Sequence, residues 1–258
     1  MILHATELGA GPPVALLHGL FGAGRNFGAV ARALGEQHRV LSLDLRNHGD
    51  SPHAPGMEYG ALASDVIETL GALSALPAAL IGHSMGGKVA MRAALDRPEM
   101  ISRLLVADIA PVVYGGTFAR YAAAMRALKL VPELTRAAAS DAMAEAVADP
   151  VVRGFLLQNL RLGAAPAWRI GLDEISAGMD DILAWDSRPG ARFEGPVLFV
   201  AGARSDYIRP EHRPVIRALF PAAKFVTLKD AGHWLHADNP AGFVAVARAF
   251  LGGGETGR

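Results

Sequence analysis

Short continuous apolar runs alternate along this chain with longer segments whose apolar residues recur every three or four positions. That alternation predicts βα units around a mostly parallel, twisted sheet flanked by helices, an α/β class of fold. Residues 14–18 form an unbroken apolar run, as expected for a strand buried on both faces. Residues 40–45, 78–81 and 103–107 repeat the pattern, and 2–8 predict a first strand at a sheet edge. Helices are predicted between them at 27–34, 59–76 and 88–95. In the second of these, Leu62, Val66, Leu70 and Leu73 keep helical spacing.

The rhythm changes after Pro111. From 112 to 185 no convincing strand is found, only Ala- and Leu-rich helical stretches, with Phe118, Tyr121, Met125 and Leu128 on one face. Asp149 and Pro150 supply an N-cap and a first-turn proline for a helix running to Leu162 and ended by Gly163. Residues 112–185 therefore read as a helical cap inserted into a core made of 1–111 and 186–252. Beyond it come a strand at 196–201, a helix at 210–219, a strand at 224–228 and a last helix opened by Asn239-Pro240. Residues 253–258 read as a disordered tail.

With 258 residues the chain can bury a substantial core. Its 25 basic and 25 acidic residues cancel, so no nucleic-acid partner is expected. No apolar run is long enough to span a membrane, and the N-terminus lacks the pattern of a signal peptide. The absence of cysteine removes disulfides, a thiolate nucleophile and Cys-based metal sites, and suits a cytoplasmic location.

The candidate chemistry is concentrated at Gly82-His83-Ser84-Met85-Gly86. A strand before this G-x-S-x-G run and a helix after it predict a nucleophile elbow, with glycines where a Cβ would clash and the Ser84 hydroxyl pushed outward. A serine needs a base. Of nine histidines His233 is the candidate, because it follows a predicted strand late in the chain and completes the order Ser, Asp, His. His18 and His83 read as packed or locally bonded, and His4, His38, His53 and His212 as surface residues. His233 and His236 are spaced H-x-x-H, but no third ligand motif accompanies them, so no metal is expected. Asp108 and Asp206 both follow predicted strands and both qualify as the carboxylate that orients the imidazole. Asp44, Asp65 and Asp238 read as turn or capping residues. The N–H groups of Met85 and Leu20 are the candidate oxyanion donors. Residues 19–24 run G-x-x-G-x-G and match no phosphate loop. Phe21, Tyr114, Phe118, Tyr121, Trp185 and Trp234 are candidates to line an apolar substrate pocket.

Taken together the chain resembles an α/β-hydrolase with a helical cap, and more narrowly the YbfF-type esterases and their mitochondrial relatives. The most specific pieces are His18-Gly19-Leu20-Phe21-Gly22, Asp44-Leu45-Arg46-Asn47-His48-Gly49, the elbow, Asp108-Ile109-Ala110-Pro111 and Ala231-Gly232-His233-Trp234-Leu235-His236-Ala237. The resemblance implies a cofactor-free serine esterase or thioesterase acting on small esters or acyl-CoA. Where many α/β-hydrolases carry G-x-x-D after the cap, this chain has Ser205, with Asp206 one residue late. YbfF-type proteins look similar there, which favours Asp108 as the acid. A perhydrolase or lactonase would use the same groups, and a non-catalytic ligand-binding protein could keep the fold. Epoxide hydrolase and dehalogenase chemistry is disfavoured, since those relatives carry aspartate at the elbow.

Overall fold

The structure, a computed structural model, describes residues 1–116, 118–186, 188 and 190–252. The tail at 253–258 lies outside the described residues. Seven strands form one sheet in the order β1-β3-β2-β4-β5-β8-β9. They are β1 (Ala5–Leu8), β2 (Pro13–Leu17), β3 (Arg39–Leu43), β4 (Ala78–His83), β5 (Ile101–Ala107), β8 (Val197–Gly202) and β9 (Ala223–Leu228). Only β1 pairs antiparallel, Ala5 facing Leu43, and every other neighbour is parallel.

Because strand side chains alternate sides, β2 feeds two layers at once. Val14 and Leu16 join Val30 and Leu34 of α1 (Gly28–Leu34) and Phe243 of α11 (Pro240–Gly252). Ala15 and Leu17 join Leu62 and Val66 of α2 (Tyr59–Ala72) and Val89 of α3 (Met85–Asp96). Each fully buried leucine contributes about 1.5–3 kcal/mol, so a strand used on both faces is held firmly. Helix α2 stops four residues short of the expected end. Ser74 adopts φ 52° there and Ala75 N–H closes back onto Leu70 O at 2.8 Å, a left-handed helix stop that apolar spacing does not encode.

Between β5 and β8 lie α4 (Phe118–Ala127), α5 (Arg136–Ala142), α6 (Pro150–Leu157), α7 (Leu172–Ala177) and α8 (Met179–Leu183). This stretch also contains strands, contrary to expectation: β6 (Leu160–Arg161) pairs antiparallel with β7 (Ala167–Trp168). Helix α6 begins at the expected Asp149 cap, whose side chain accepts Val151 N–H, but ends at Leu157 instead of Leu162. Its last carbonyls are claimed from elsewhere: Leu156 O by the Asn159 side chain, and Leu157 O by the Arg136 guanidinium. Gly163, expected to end the helix, turns the hairpin at φ 120°.

The loops after β2, β4, β5, β8 and β9 all leave the carboxyl edge of the sheet, where open α/β sheets place their sites. A short helix, α10 (Leu235–Asp238), follows the last of them.

Candidate active site

The turn after β4 is set by main-chain contact. A Cβ on Gly82 would stand 2.2 Å from Gly86 O, and one on Gly86 would stand 2.3 Å from Leu17 O of β2. With both positions bare the chain reverses within three residues. Ser84 is held at φ 52°, ψ −122°, a conformation that L-residues rarely adopt. Its N–H donates to Ala107 O at 3.0 Å.

His233 arrives from the loop after β9. Its Nε2 lies 3.1 Å from Ser84 Oγ and its Nδ1 lies 2.8 Å from Asp108 Oδ2. Asp108, just past β5, is wholly buried at φ 54°. Its carboxylate accepts three further-reaching donors in all: Gly202 N–H at 3.0 Å on Oδ1, and both the Ser205 hydroxyl and His233 Nδ1–H on Oδ2. A carboxylate that can only accept fixes the His233 proton on Nδ1, leaving Nε2 bare toward the serine. Asp206 stands elsewhere. It is exposed, and its carbonyl takes Arg209 Nε–H at 3.1 Å. The residue before it, Ser205, is the one that reaches Asp108.

Several supports were not foreseen. The Tyr207 ring stacks on the His233 ring with centroids 3.9 Å apart. His83 does not bond locally: its Nε2 lies 2.8 Å from His233 O, across 150 residues of chain. His18 does both, holding Gly19 O through Nδ1 and accepting Leu45 N–H at Nε2. Asp238 pins Gly232 N–H at 2.7 Å, beside the imidazole, and capping at Gly242 falls to Asn239. Asp44 bonds the N–H groups of Gly24 and Asp50, whereas Asp65 is no turn residue: it sits buried in α2 and pairs with Arg46. The contacts of His83 with His233, Tyr207 with His233 and His18 with Leu45 join distant segments, and nothing in local spacing signals them.

Phe21, Phe118, Tyr121 and Trp234 line an apolar cleft beside Ser84, together with Leu20 and Phe155. Tyr114 lines a smaller adjoining pocket that shares Leu20, Ser84 and Phe118, with Met85, Lys88 and Tyr207. Trp185 lines neither. It sits behind α8 against Tyr59, ring centroids 6.1 Å apart, because the Tyr59 hydroxyl draws that segment in through Ile182 O. Among the described residues, neither Leu20 N–H nor Met85 N–H is spent on an intramolecular acceptor. The Lys88 ammonium is buried, donating to Ala184 O at 2.6 Å and Leu183 O at 3.2 Å, and burial pushes it down to about 7. The candidate metal-ligating side chains that gather among the described residues are His4, Asp44 and Asp50, not the H-x-x-H pair.

Burial also depresses four imidazoles near the site. His18 and His236 fall to about 4, His48 to about 3, and His83 well below its ordinary 6.5. Above pH 6.5 these rings are neutral folded or unfolded. Below it the unfolded chain takes up protons that the folded chain refuses, so stability falls as pH falls toward 4. All four rings act in the same direction, each favouring the unfolded chain as the solution is acidified. Stability is therefore expected to drop as pH is lowered below 6.5. Thermal melts from pH 7 to 5 should show a steep fall in Tm, and a level Tm would refute neutral burial.

A family model described as "alpha/beta hydrolase fold" matches residues 12–240. The chain is 39% identical over 249 residues to the sn-1-specific diacylglycerol lipase ABHD11 of Mus musculus, spanning 93% of this chain and 81% of that one. It is 35% identical over 242 residues to the esterase YbfF of Escherichia coli (strain K12), spanning 93% and 92%. A solved structure of a marine microorganism esterase matches with a TM-score of 0.94 at 34% identity, over 97% of this chain and 100% of that one. No helix among the described residues is long and apolar enough to cross a membrane. The chain belongs to the α/β-hydrolase fold family, among its YbfF-type esterases, and is a carboxylic-ester hydrolase.

Proposed function

We propose that the protein hydrolyses small or acyl-chain carboxylic esters, acyl-CoA thioesters included, through an acyl-enzyme on Ser84. The observation that carries this reading is the continuous hydrogen-bonded line from Ser84 Oγ through His233 to Asp108. Ser84 Oγ attacks the carbonyl carbon while His233 Nε2 takes its proton. Asp108 keeps the proton on Nδ1 and stabilises the imidazolium. The N–H groups of Leu20 and Met85 hold the oxyanion until the carbonyl re-forms. The leaving alcohol or thiol departs with the proton from Nε2. Water, deprotonated by His233, then attacks the acyl carbon, and Ser84 recovers its proton as the acid leaves.

The larger cleft, walled by Phe21, Phe118, Tyr121, Phe155 and Trp234, suits a hydrocarbon chain. A relative named as a diacylglycerol lipase supports an apolar acyl group. In the same reading residues 112–185 act as a cap over a core of 1–111 and 186–252, and α4 and α6 supply part of the cleft wall. Cytoplasmic residence, which suits a chain without cysteine, belongs to this proposal too.

The test is chemical quench during turnover of nitrophenyl esters and acyl-CoA thioesters of graded length, followed by intact mass and peptide mapping. The expected result is one acyl group per chain, on the peptide holding Ser84, with faster acylation by medium chains than by acetate. Product formation without any covalent adduct, under conditions where acylation outruns water, would overturn the acyl-enzyme.

A further inference from the structure

We infer that Asn159, in the turn between α6 and β6, is a positioning residue for the oxyanion hole, linking the segment between β5 and β8 to the loop that carries Leu20. The inference rests on the reading of Leu20 N–H as an oxyanion donor. Three consecutive peptides of that loop are each gripped by a buried side chain. His18 Nδ1–H holds Gly19 O at 2.8 Å, in the same peptide as Leu20 N–H. His48 Nε2 accepts Phe21 N–H at 3.1 Å, its own Nδ1–H being spent on Arg46 O. Asn159 Nδ2 donates to Phe21 O at 2.7 Å, across 138 residues of chain.

Phe21 needs these grips. It sits at φ 60°, a left-handed conformation that non-glycine residues resist, so the turn persists only where its surroundings over-determine it. The Asn159 amide has no freedom to reverse. Its Nδ2 faces two carbonyls, Phe21 O and Leu156 O, and a flipped amide would set oxygen against oxygen. Its backbone is fixed as well, since Asn159 O accepts Arg169 N–H at 2.8 Å at the root of the β6–β7 hairpin. Neighbouring Gln158 adds outer contacts to Arg25 and Asn26 of the same loop. Asn159 itself is 1% exposed and touches no substrate cleft, so its effect passes through the Phe21 carbonyl.

Asn159→Leu keeps the bulk and removes the donor. Because full loss of an oxyanion donor costs about 100- to 1000-fold, misaiming one is expected to lower kcat by about 10- to 100-fold with KM changed less than about threefold. Affinity for a trifluoromethyl ketone, which forms an oxyanionic hemiketal, should fall in step with kcat/KM. Affinity for the matching methyl ketone should hold. Asn159→Ser, smaller and still a donor, serves if the leucine variant does not fold, and should keep more turnover than Asn159→Ala. A merely structural role would raise KM and weaken both ketones equally, and that result, or unchanged kcat, overturns the inference. If the wild-type enzyme forms no acyl adduct at all, the underlying acyl-enzyme reading fails first, which is a separate and distinguishable outcome.

Discussion

Ser84→Ala is expected to lower ester turnover by up to about a million-fold and to abolish covalent labelling by a fluorophosphonate, while leaving the fold intact. Among the described residues the hydroxyl has one hydrogen-bond partner, His233 Nε2 at 3.1 Å, so its loss unseats no other hydrogen bond there. Alanine bears the same backbone cost as serine at φ 52°. What disappears is an atom in the cleft placed both to attack a carbonyl and to hand its proton to an imidazole. The free N–H groups of Leu20 and Met85 would still polarise a bound ester, leaving a residual rate over water of about a thousand-fold. Turnover within tenfold of wild type would refute the assignment of Ser84, and a wild-type protein that never labels would point to a binding protein in an enzyme's fold.

The second large effect separates two aspartates. Asp108→Asn is expected to reduce kcat by about ten thousand-fold, and Asp206→Asn by less than about twofold. Among the described residues each hydrogen-bond partner of the Asp108 carboxylate is a donor: Gly202 N–H on one oxygen, the Ser205 hydroxyl and His233 on the other. An asparagine in either orientation turns an N–H₂ toward at least one of them. With the amide nitrogen at the Oδ2 position, the imidazole regains contact only by exposing a bare Nδ1, which moves its proton to Nε2 and strips it of the ability to accept from Ser84. Asp206 points into solvent and holds nothing on its carboxylate that the reaction uses. The reverse ranking, measured under saturating nitrophenyl ester, would move the acid to Asp206.

The elbow and the order of its partners were legible because they depend on local constraints. Gly82 and Gly86 declare a turn too tight for a Cβ, and the strand and helix around them declare its direction. The choice between Asp108 and Asp206 was not legible from spacing, since each follows a strand at the same sheet edge. It depends on β5 and β8 being neighbours, so that a side chain leaving one can collect Gly202 N–H from the other. Trp185, expected at the pocket, stands against Tyr59 for a similar reason: its aromatic character suits either place, and spacing does not choose between them. The β6–β7 hairpin was hidden because two residues per strand are too few for any period to register. Tyr207, Ser205 and Asn159 act over gaps of 26, 97 and 138 residues, measured to His233, Asp108 and Phe21, and no local pattern carries that information.

The contact between Gly86 and the carbonyl of Leu17 has a bearing on how this enzyme can evolve. It makes the spacing between the Ser84 turn and the end of β2 a property of two peptide backbones touching, with no side chain in between to be exchanged. Variation can therefore reshape aromatic walls such as Phe118, Tyr121 and Trp234 while this one backbone joint stays as it is. A lineage built on such a joint would diversify in what it accepts long before it changed what it does.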